Sequence, residues 1–340
     1  MRTSSSCIRL ENSIYIGKVK HMIDFGHLKQ SNAKLNGILL IDKPKGITSH
    51  DVVEELRKII GIQQIGHAGT LDPFATGLLV TGLGKATRLL EYLQGERKVY
   101  YVKMQLGLVT DTFDITGNVM EIHEVNVTPE DLENVIFSFV GRYKQVPPAY
   151  SAKKYQGRKL YELAREGKII NLPPREVEIY SISELKIEIP FVEFIAEVSA
   201  GTYIRSLCMD VGFALGCGAT AIELRRLQVG KFRVEDSVSL DELKERGEIF
   251  RYLLPMEMIL DFPKVYVKSK DKIANGIQPK VEDIEKFEDF EKDDLVQVFH
   301  NDCLVAVAIA ERSSSFIKTL IRQGRNERVL KLRKVFVERT

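Results

Sequence analysis

The sequence predicts an α+β protein, a mixed helix-and-strand domain followed by a smaller β domain, and three observations carry that expectation. The 340 residues are 44 % hydrophobic, enough for a sizeable core and for about two domains. From Leu35 onward, stretches with the alternating period of strands and stretches with the 3.6-residue period of helices follow one another. From about Phe262 the texture changes to short apolar strands, VYV, LVQVF and CLVAVAIA, joined by turn residues such as Asn301 and Asp302.

Residues 1–34 carry SSS and no clear periodicity, so a disordered extension without assigned function is expected there, ahead of a domain at 35–261 and a second at 262–340. The run Ile38 to Ile41 reads as a strand ended by Pro44 and Gly46. A helix follows, capped by Thr48 or Ser49, with Val52, Val53, Leu56, Ile59 and Ile60 on its apolar face and Gly61 as its stop. GHAGTLDPFATG, Gly66 to Gly77, reads as a loop, LLVTGLG as a strand and KATRLLEYL as a helix. KVYYVKMQLG alternates as a strand that places Tyr100, Val102, Met104 and Leu106 on one face. The basic stretch 141–180 looks like an insertion, and strands follow near Val177 to Leu185 and Phe191 to Ser199. In AGTYIRSLCMDVGFALG, Thr202 is a plausible helix cap, Ile204, Leu207, Cys208, Val211 and Leu215 form a buried stripe, and Tyr203 and Arg205 fall in the first turn.

No run approaches the roughly 18 apolar residues that span a bilayer, and a cytoplasmic address without membrane partners is expected. The four cysteines form no C-x2-C pair, so neither a disulfide framework nor a metal site is indicated. Net charge is only +2, yet Gly141 to Tyr180 holds nine Lys/Arg against four acids, and Ile317 to Thr340 eight against two. A polyanion such as RNA favours such patches, although solvated faces carry similar runs.

Asp72 precedes proline, which turns it away from helical angles, and the glycines around it let another backbone or a ligand come close. It either closes a turn or is presented for chemistry. No second acid lies near it in sequence, which suits a nucleophile better than half of a metal site or of an acid/base pair. A phosphatase or phosphotransferase would need a D-x-D or D-K-T-G signature, and Asp72-Pro73-Phe74 supplies neither.

These residues carry a resemblance. GHAGTLDPFATG resembles the signature of the TruB-type pseudouridine synthases, and companions follow in the family's order: DKPKG (Asp42 to Gly46), KVYYVKMQLG, TDTFDITG, PPAYSAKKYQGRKLYE, GTYIRSL and GCGA followed by LRR. The similarity spans about Leu35 to Asp261, and the C-terminal strands resemble the PUA module often attached to these enzymes. It implies a mixed, mostly antiparallel sheet flanked by helices, a PUA-like β barrel, and isomerisation of uridine 55 in the T-loop (T-arm) of tRNA by a monomer without cofactor, metal or required protein partner. A guide-RNA-dependent enzyme of the same family, or a non-catalytic RNA-binding protein, are the alternatives.

The resemblance also implies roles. Asp72 matches the nucleophile, Tyr100 the tyrosine that stacks on the target base and is a candidate proton acceptor, and Arg205 the arginine paired with the aspartate. His67 matches a histidine that fills the gap left by the flipped base, and Leu224 an apolar contact of that base, where otherwise it would be ordinary helix core. Tyr203 joins the substrate-binding set, and Lys43 either supports the catalytic loop or contacts phosphate. The basic segment would grip the RNA backbone, with Tyr150, Tyr155 and Tyr161 as stacking candidates. Val109 departs from the family, many of whose members carry arginine there.

Overall fold

The computed structural model describes residues 35–338 except 149, 151–153, 156, 160–165, 167, 169–171 and 247–248, and only the backbone of 154, 155, 159 and 246. The N-terminal extension and Tyr161 therefore lie outside the described residues, as does the side chain of Tyr155. Contacts divide the chain into one unit of Ala33–Leu254 and another that holds Pro255–Thr340, so the 3-10 turn Met256–Ile259 belongs with the second unit rather than with the first.

The strands are β1 (Gly37–Lys43), β2 (Ile65–His67), β3 (Thr76–Leu83), β4 (Lys98–Leu106), β5 (Leu108–Thr110), β6 (Val119–Ile122), β7 (Gly141–Gln145), β8 (Lys154–Tyr155), β9 (Arg158–Lys159), β10 (Arg175–Glu188), β11 (Phe191–Val198), β12 (Ala219–Val229) and β13 (Phe232–Arg233) in the first unit. Seven of them run in the order β1-β3-β12-β4-β11-β10-β7, with β2 beside β3 and β13 beside β12. Every pairing in this sheet is antiparallel except β12 with β3, where Arg225 faces Thr76 and Arg226 faces Gly77. The sheet is thus mixed and mostly antiparallel, as expected.

β4 alternates along its whole length, and its inward residues Tyr100, Val102, Met104 and Leu106 enter one buried cluster. Helices α2 (Pro129–Ser138) and α3 (Ile204–Ala214) cover that face with Leu132, Ile136, Ile204, Leu207, Cys208 and Val211. Helix α1 (Ser49–Ile60) covers β1 and β3 through Val52, Val53 and Leu56. Its start is a capping box between Thr48 and Asp51, and its end is the left-handed Gly61, both local signals that the sequence displays.

Four expectations are corrected. KATRLLEYL forms two 3-10 turns, Gly84–Arg88 and Leu90–Leu93, because Lys85 N–H donates to Asn36 at 2.7 Å and the Thr87 hydroxyl takes the Gly84 carbonyl at 2.7 Å. Leu224 lies in strand β12 and not in a helix, since residues 219–229 pair along β4 and this pairing overrides a helix-compatible composition. Residues 141–180 are not an insertion throughout, because both ends are strands of the central sheet, with Gln145 opposite Arg175 and Gly141 opposite Ile179. Thr202 does not cap α3; its hydroxyl lies 3.2 Å from that of Ser199, and Tyr203 occupies the cap position.

The second unit is a five-stranded sheet in the order β15 (Ile284–Phe287), β14 (Lys264–Val267), β16 (Leu295–His300), β17 (Cys303–Ala310), β18 (Leu330–Val335). An amphipathic helix, α4 (Ser314–Arg322), buries Ile317 and Leu320 in the core of this sheet, an element that the short-strand pattern did not announce.

Candidate active site

GHAGTLDPFATG is partly strand. His67 ends β2 opposite Thr81, Thr76 opens β3, and the loop proper is 68–75. Gly77 has φ +100, and a Cβ there would lie 2.4 Å from the Arg226 carbonyl oxygen, so the loop returns to the sheet at a point only glycine fits.

Three buried polar side chains hold this loop from behind. The Ser49 hydroxyl accepts from Leu71 N–H at 2.8 Å and approaches its carbonyl at 3.2 Å, bracketing the residue before Asp72. The Arg226 guanidinium, 1 % exposed, donates to the carbonyls of Leu78, Gly69 and Thr70 at 2.7, 3.2 and 3.5 Å. Lys43 is buried, and its ammonium donates to the carbonyls of Ile47, Pro44 and Pro73 at 2.7, 2.9 and 3.4 Å. Its charge is thus spent on backbone carbonyls, and of its two expected roles the geometry offers loop support rather than phosphate contact. Arg225, the neighbour that points the other way, forks onto Asp42 at 2.9 and 2.6 Å.

Burial pulls the Lys43 ammonium down to about 8, with the Asp72 carboxylate pulling partly back. Its folded value lies below its ordinary one, so between these two values the unfolded chain holds a proton that the folded chain has lost, and stability rises with pH there. The stability difference between wild type and Lys43→Met is expected to grow from pH 8 to pH 10 in denaturant titrations, whereas a flat difference would refute the burial of this charge. Lys98, also drawn to about 8 by burial, cancels in that comparison.

Arg205, on α3, links two carboxylates. Its Nε lies 2.8 Å from Asp72 Oδ2 as a charge contact, without an aligned hydrogen bond, and Nη2 donates to Asp72 Oδ1 at 3.1 Å. Nη1 donates to Asp114 Oδ2 at 3.2 Å and to the Thr112 carbonyl at 2.7 Å, while Nη2 also reaches the Tyr150 carbonyl at 2.9 Å. Asp114 is itself fixed, accepting from Thr116 N–H at 3.0 Å and from the hydroxyls of Thr116 and Thr112 at 2.5 and 3.1 Å. The expectation of a lone carboxylate is therefore corrected: Asp72 shares its cation with Asp114, a partner 91 residues from Arg205 in sequence. The side chains of Arg205 and Asp114 are 4 % and 5 % exposed, that of Asp72 32 %, so the end of the network that opens to solvent is Asp72.

Tyr100 and Leu224 are buried in one cluster with Leu71, Phe74 and Ile204, a largely apolar wall built from β4, β12, α3 and the loop. Tyr203 is held through its backbone by Gln145, whose Oε1 accepts from Tyr203 N–H at 2.8 Å. His67 keeps a buried Nδ1 without a hydrogen-bond partner, and burial, then Arg226, hold its imidazole below the ordinary value, so the ring is neutral at pH 7. Val109 packs on Gly218, where a Cβ would meet its methyl at 2.4 Å, so at this position an apolar contact stands in place of a charge. Asp114, Arg226 and Gln145 were not singled out from sequence, and Ser49 was read only as a possible helix cap, a place that Thr48 takes. Only the paired arginines offered a signal, because adjacent residues of a strand face opposite sides and one of two must point inward.

The arrangement offers one solvent-facing carboxylate on a stiff loop, a guanidinium that pairs with it, and apolar walls. A family model described as TruB family pseudouridylate synthase (N terminal domain) matches residues 57–204, and one described as tRNA pseudouridylate synthase B C-terminal domain matches 205–261. The chain is 54 % identical to tRNA pseudouridine synthase B of Thermotoga maritima over 88 % of its length and 98 % of the relative's. To the protein of that name from Thermosipho melanesiensis it is 53 % identical, over 89 % and 99 %. Among solved structures, a chain of an H/ACA ribonucleoprotein bound to a substrate RNA containing 2′-deoxyuridine is 31 % identical with a TM-score of 0.66, covering 89 % of this chain and 86 % of that one. The matched models cover residues 57–261, and the chain belongs to the TruB family of pseudouridylate synthases.

Proposed function

We propose that the chain isomerises uridine to pseudouridine at position 55 in the T-loop of tRNA, with Asp72 as nucleophile. The observation that carries this is the Asp72–Arg205 pair at the end of a loop braced by Ser49, Lys43 and Arg226. The close relatives named tRNA pseudouridine synthase B support the substrate. The reaction breaks the C1′–N1 bond, forms C1′–C5, moves the C5 hydrogen to an acceptor and leaves a proton on N1. Atoms and electrons balance without an added reagent, and a carboxylate suffices by attack at C1′ or at C6.

The uridine is buried in a folded T-loop and must be flipped out to reach Asp72. The neutral, amphipathic ring of His67 suits the vacated stack. Tyr100 stacks on the base and accepts the C5 proton, and Leu224 and Tyr203 line its site. The apolar wall excludes water, which would otherwise trap the activated ribose. The basic stretch within 141–180 grips the T-arm backbone, the C-terminal unit contributes a PUA-like RNA surface, and a cytoplasmic monomer acts without a protein partner.

Release of tritium from C5-labelled uridine in a tRNA transcript tests this, with the purified chain alone. About one equivalent per tRNA is expected, and none when position 55 carries cytidine. Release that requires a guide RNA would move the chain to the guide-dependent branch; binding without release would make it an RNA-binding module.

A further inference from the structure

We propose that Gln145 is a positioning residue for the Asp72–Arg205 pair, its carboxamide clamping the backbone of Tyr203, the residue at the cap position of the catalytic helix α3. Tyr203 stands at the cap position with φ −97 and ψ 110 and makes no side-chain cap hydrogen bond. A cap's side-chain oxygen normally serves the N–H of the second or third helical residue, which a tyrosine ring cannot do, and the cap residue's own backbone N–H must find its acceptor elsewhere in the chain. Gln145, 0 % exposed and 58 residues away, reaches in from β7. Its Oε1 accepts from Tyr203 N–H at 2.8 Å and its Nε2 donates to the Tyr203 carbonyl at 3.1 Å and lies 2.5 Å from the Tyr143 hydroxyl. One planar amide therefore fixes both ends of residue 203, two positions before Arg205.

The residues after Gln145 continue the contact. The Val146 carbonyl accepts from the Ser206 hydroxyl at 3.0 Å and the Tyr150 carbonyl from Arg205 Nη2 at 2.9 Å. Gln145, Val146 and Tyr150 thus touch residues 203, 206 and 205 of the catalytic turn. The stretch 145–150 is also where β7 leaves the sheet for the basic segment that would bind the RNA backbone, so the chain that grips RNA is anchored on the helix that orients the nucleophile's cation. Only an amide can do this, because a carboxylate presents two acceptors where the Tyr203 carbonyl needs a donor, and an apolar side chain leaves the Tyr203 N–H without its partner. Tyr143, edge-on to Phe139 with ring centroids 5.3 Å apart, holds the third hydrogen-bond position.

The inference rests on the isomerase reading, and wild-type turnover in the same assay separates the two: an inactive wild type removes the reading, an active one lets Gln145 be judged. Gln145→Ala is expected to lower kcat on saturating tRNA by about ten- to a hundredfold, well below its unfolding midpoint, with KM changed by less than about threefold. A merely structural role would lower the midpoint and leave kcat of the folded enzyme intact. In a double-mutant cycle, adding Gln145→Ala to Arg205→Lys is expected to cost less than about threefold more, since both act through one guanidinium. A kcat within about fivefold of wild type, a defect confined to KM, or full multiplication of the two effects overturns the proposal. Should Gln145→Ala not fold, Gln145→Glu, which keeps the shape and reverses the donor, is measured and judged by the same thresholds.

Discussion

Substituting Asp72→Asn is expected to reduce tritium release from tRNA by about four orders of magnitude or more, while the Kd for tRNA changes by less than about threefold. An amide has the shape of the carboxylate but neither its charge nor a usable nucleophilic oxygen. The loop does not depend on that carboxylate for its own geometry: Leu71 is held by Ser49, Pro73 by Lys43 and Gly46, and Gly69 and Thr70 by Arg226. Folding should therefore survive, and Arg205 retains Asp114 as its counter-ion. The variant also resists reverting by deamidation, because proline follows and provides no backbone N–H to close the succinimide ring. Residual turnover within tenfold of wild type would end the nucleophile assignment.

How much of this was legible in the sequence follows from the range over which each feature is determined. Helix α1 was legible because its cap, face and stop lie within fourteen residues, Thr48 to Gly61, and β4 because its alternation is unbroken. The nucleophile loop was legible as a loop because glycine and Asp-Pro constrain their own backbone. What failed was decided elsewhere in the chain. KATRLLEYL has a helix former's composition, yet contacts to Asn36 and within Gly84–Thr87 wind it as 3-10 turns. ELRRL reads as helix until β4 and β3 pair with it on either side. Thr202 is a good cap by residue type, yet its hydroxyl lies against that of Ser199 and the position falls to Tyr203, whose backbone is held by a glutamine 58 residues away.

The site shows the same division. Asp72 and Arg205 could be named from motifs, but their joint use of Asp114 depends on the turn Thr110–Thr116 folding back beside β12, where Ile115 N–H meets the Ala221 carbonyl at 3.0 Å. Lys43 was named for loop support, but how it and Arg226 are paired was hidden for a physical reason. Their hydrogen-bond partners are backbone carbonyls, which every residue possesses and no sequence pattern marks.

For Arg205→Lys, kcat is expected to fall by about a hundred- to a thousandfold, roughly 3 to 4 kcal/mol of transition-state stabilisation. The guanidinium meets Asp72 through Nε and Nη2, and Asp114 and the Thr112 carbonyl through Nη1, a span no single ammonium can cover. A lysine must choose, and the nearly buried Asp114, with less water to solvate it, wins the charge over the partly exposed Asp72. The nucleophile then loses its orientation and the cation that faces it. Asp114→Asn tests the same competition from the other side, since it removes the rival carboxylate but leaves the fork on Asp72. Its effect on kcat should be smaller, about ten- to fiftyfold, through looser aim of the guanidinium. Adding Asp114→Asn to Arg205→Lys should recover part of the loss, because the ammonium is released toward Asp72. A double variant slower than Arg205→Lys alone would mean that Asp114 does more than compete for the cation.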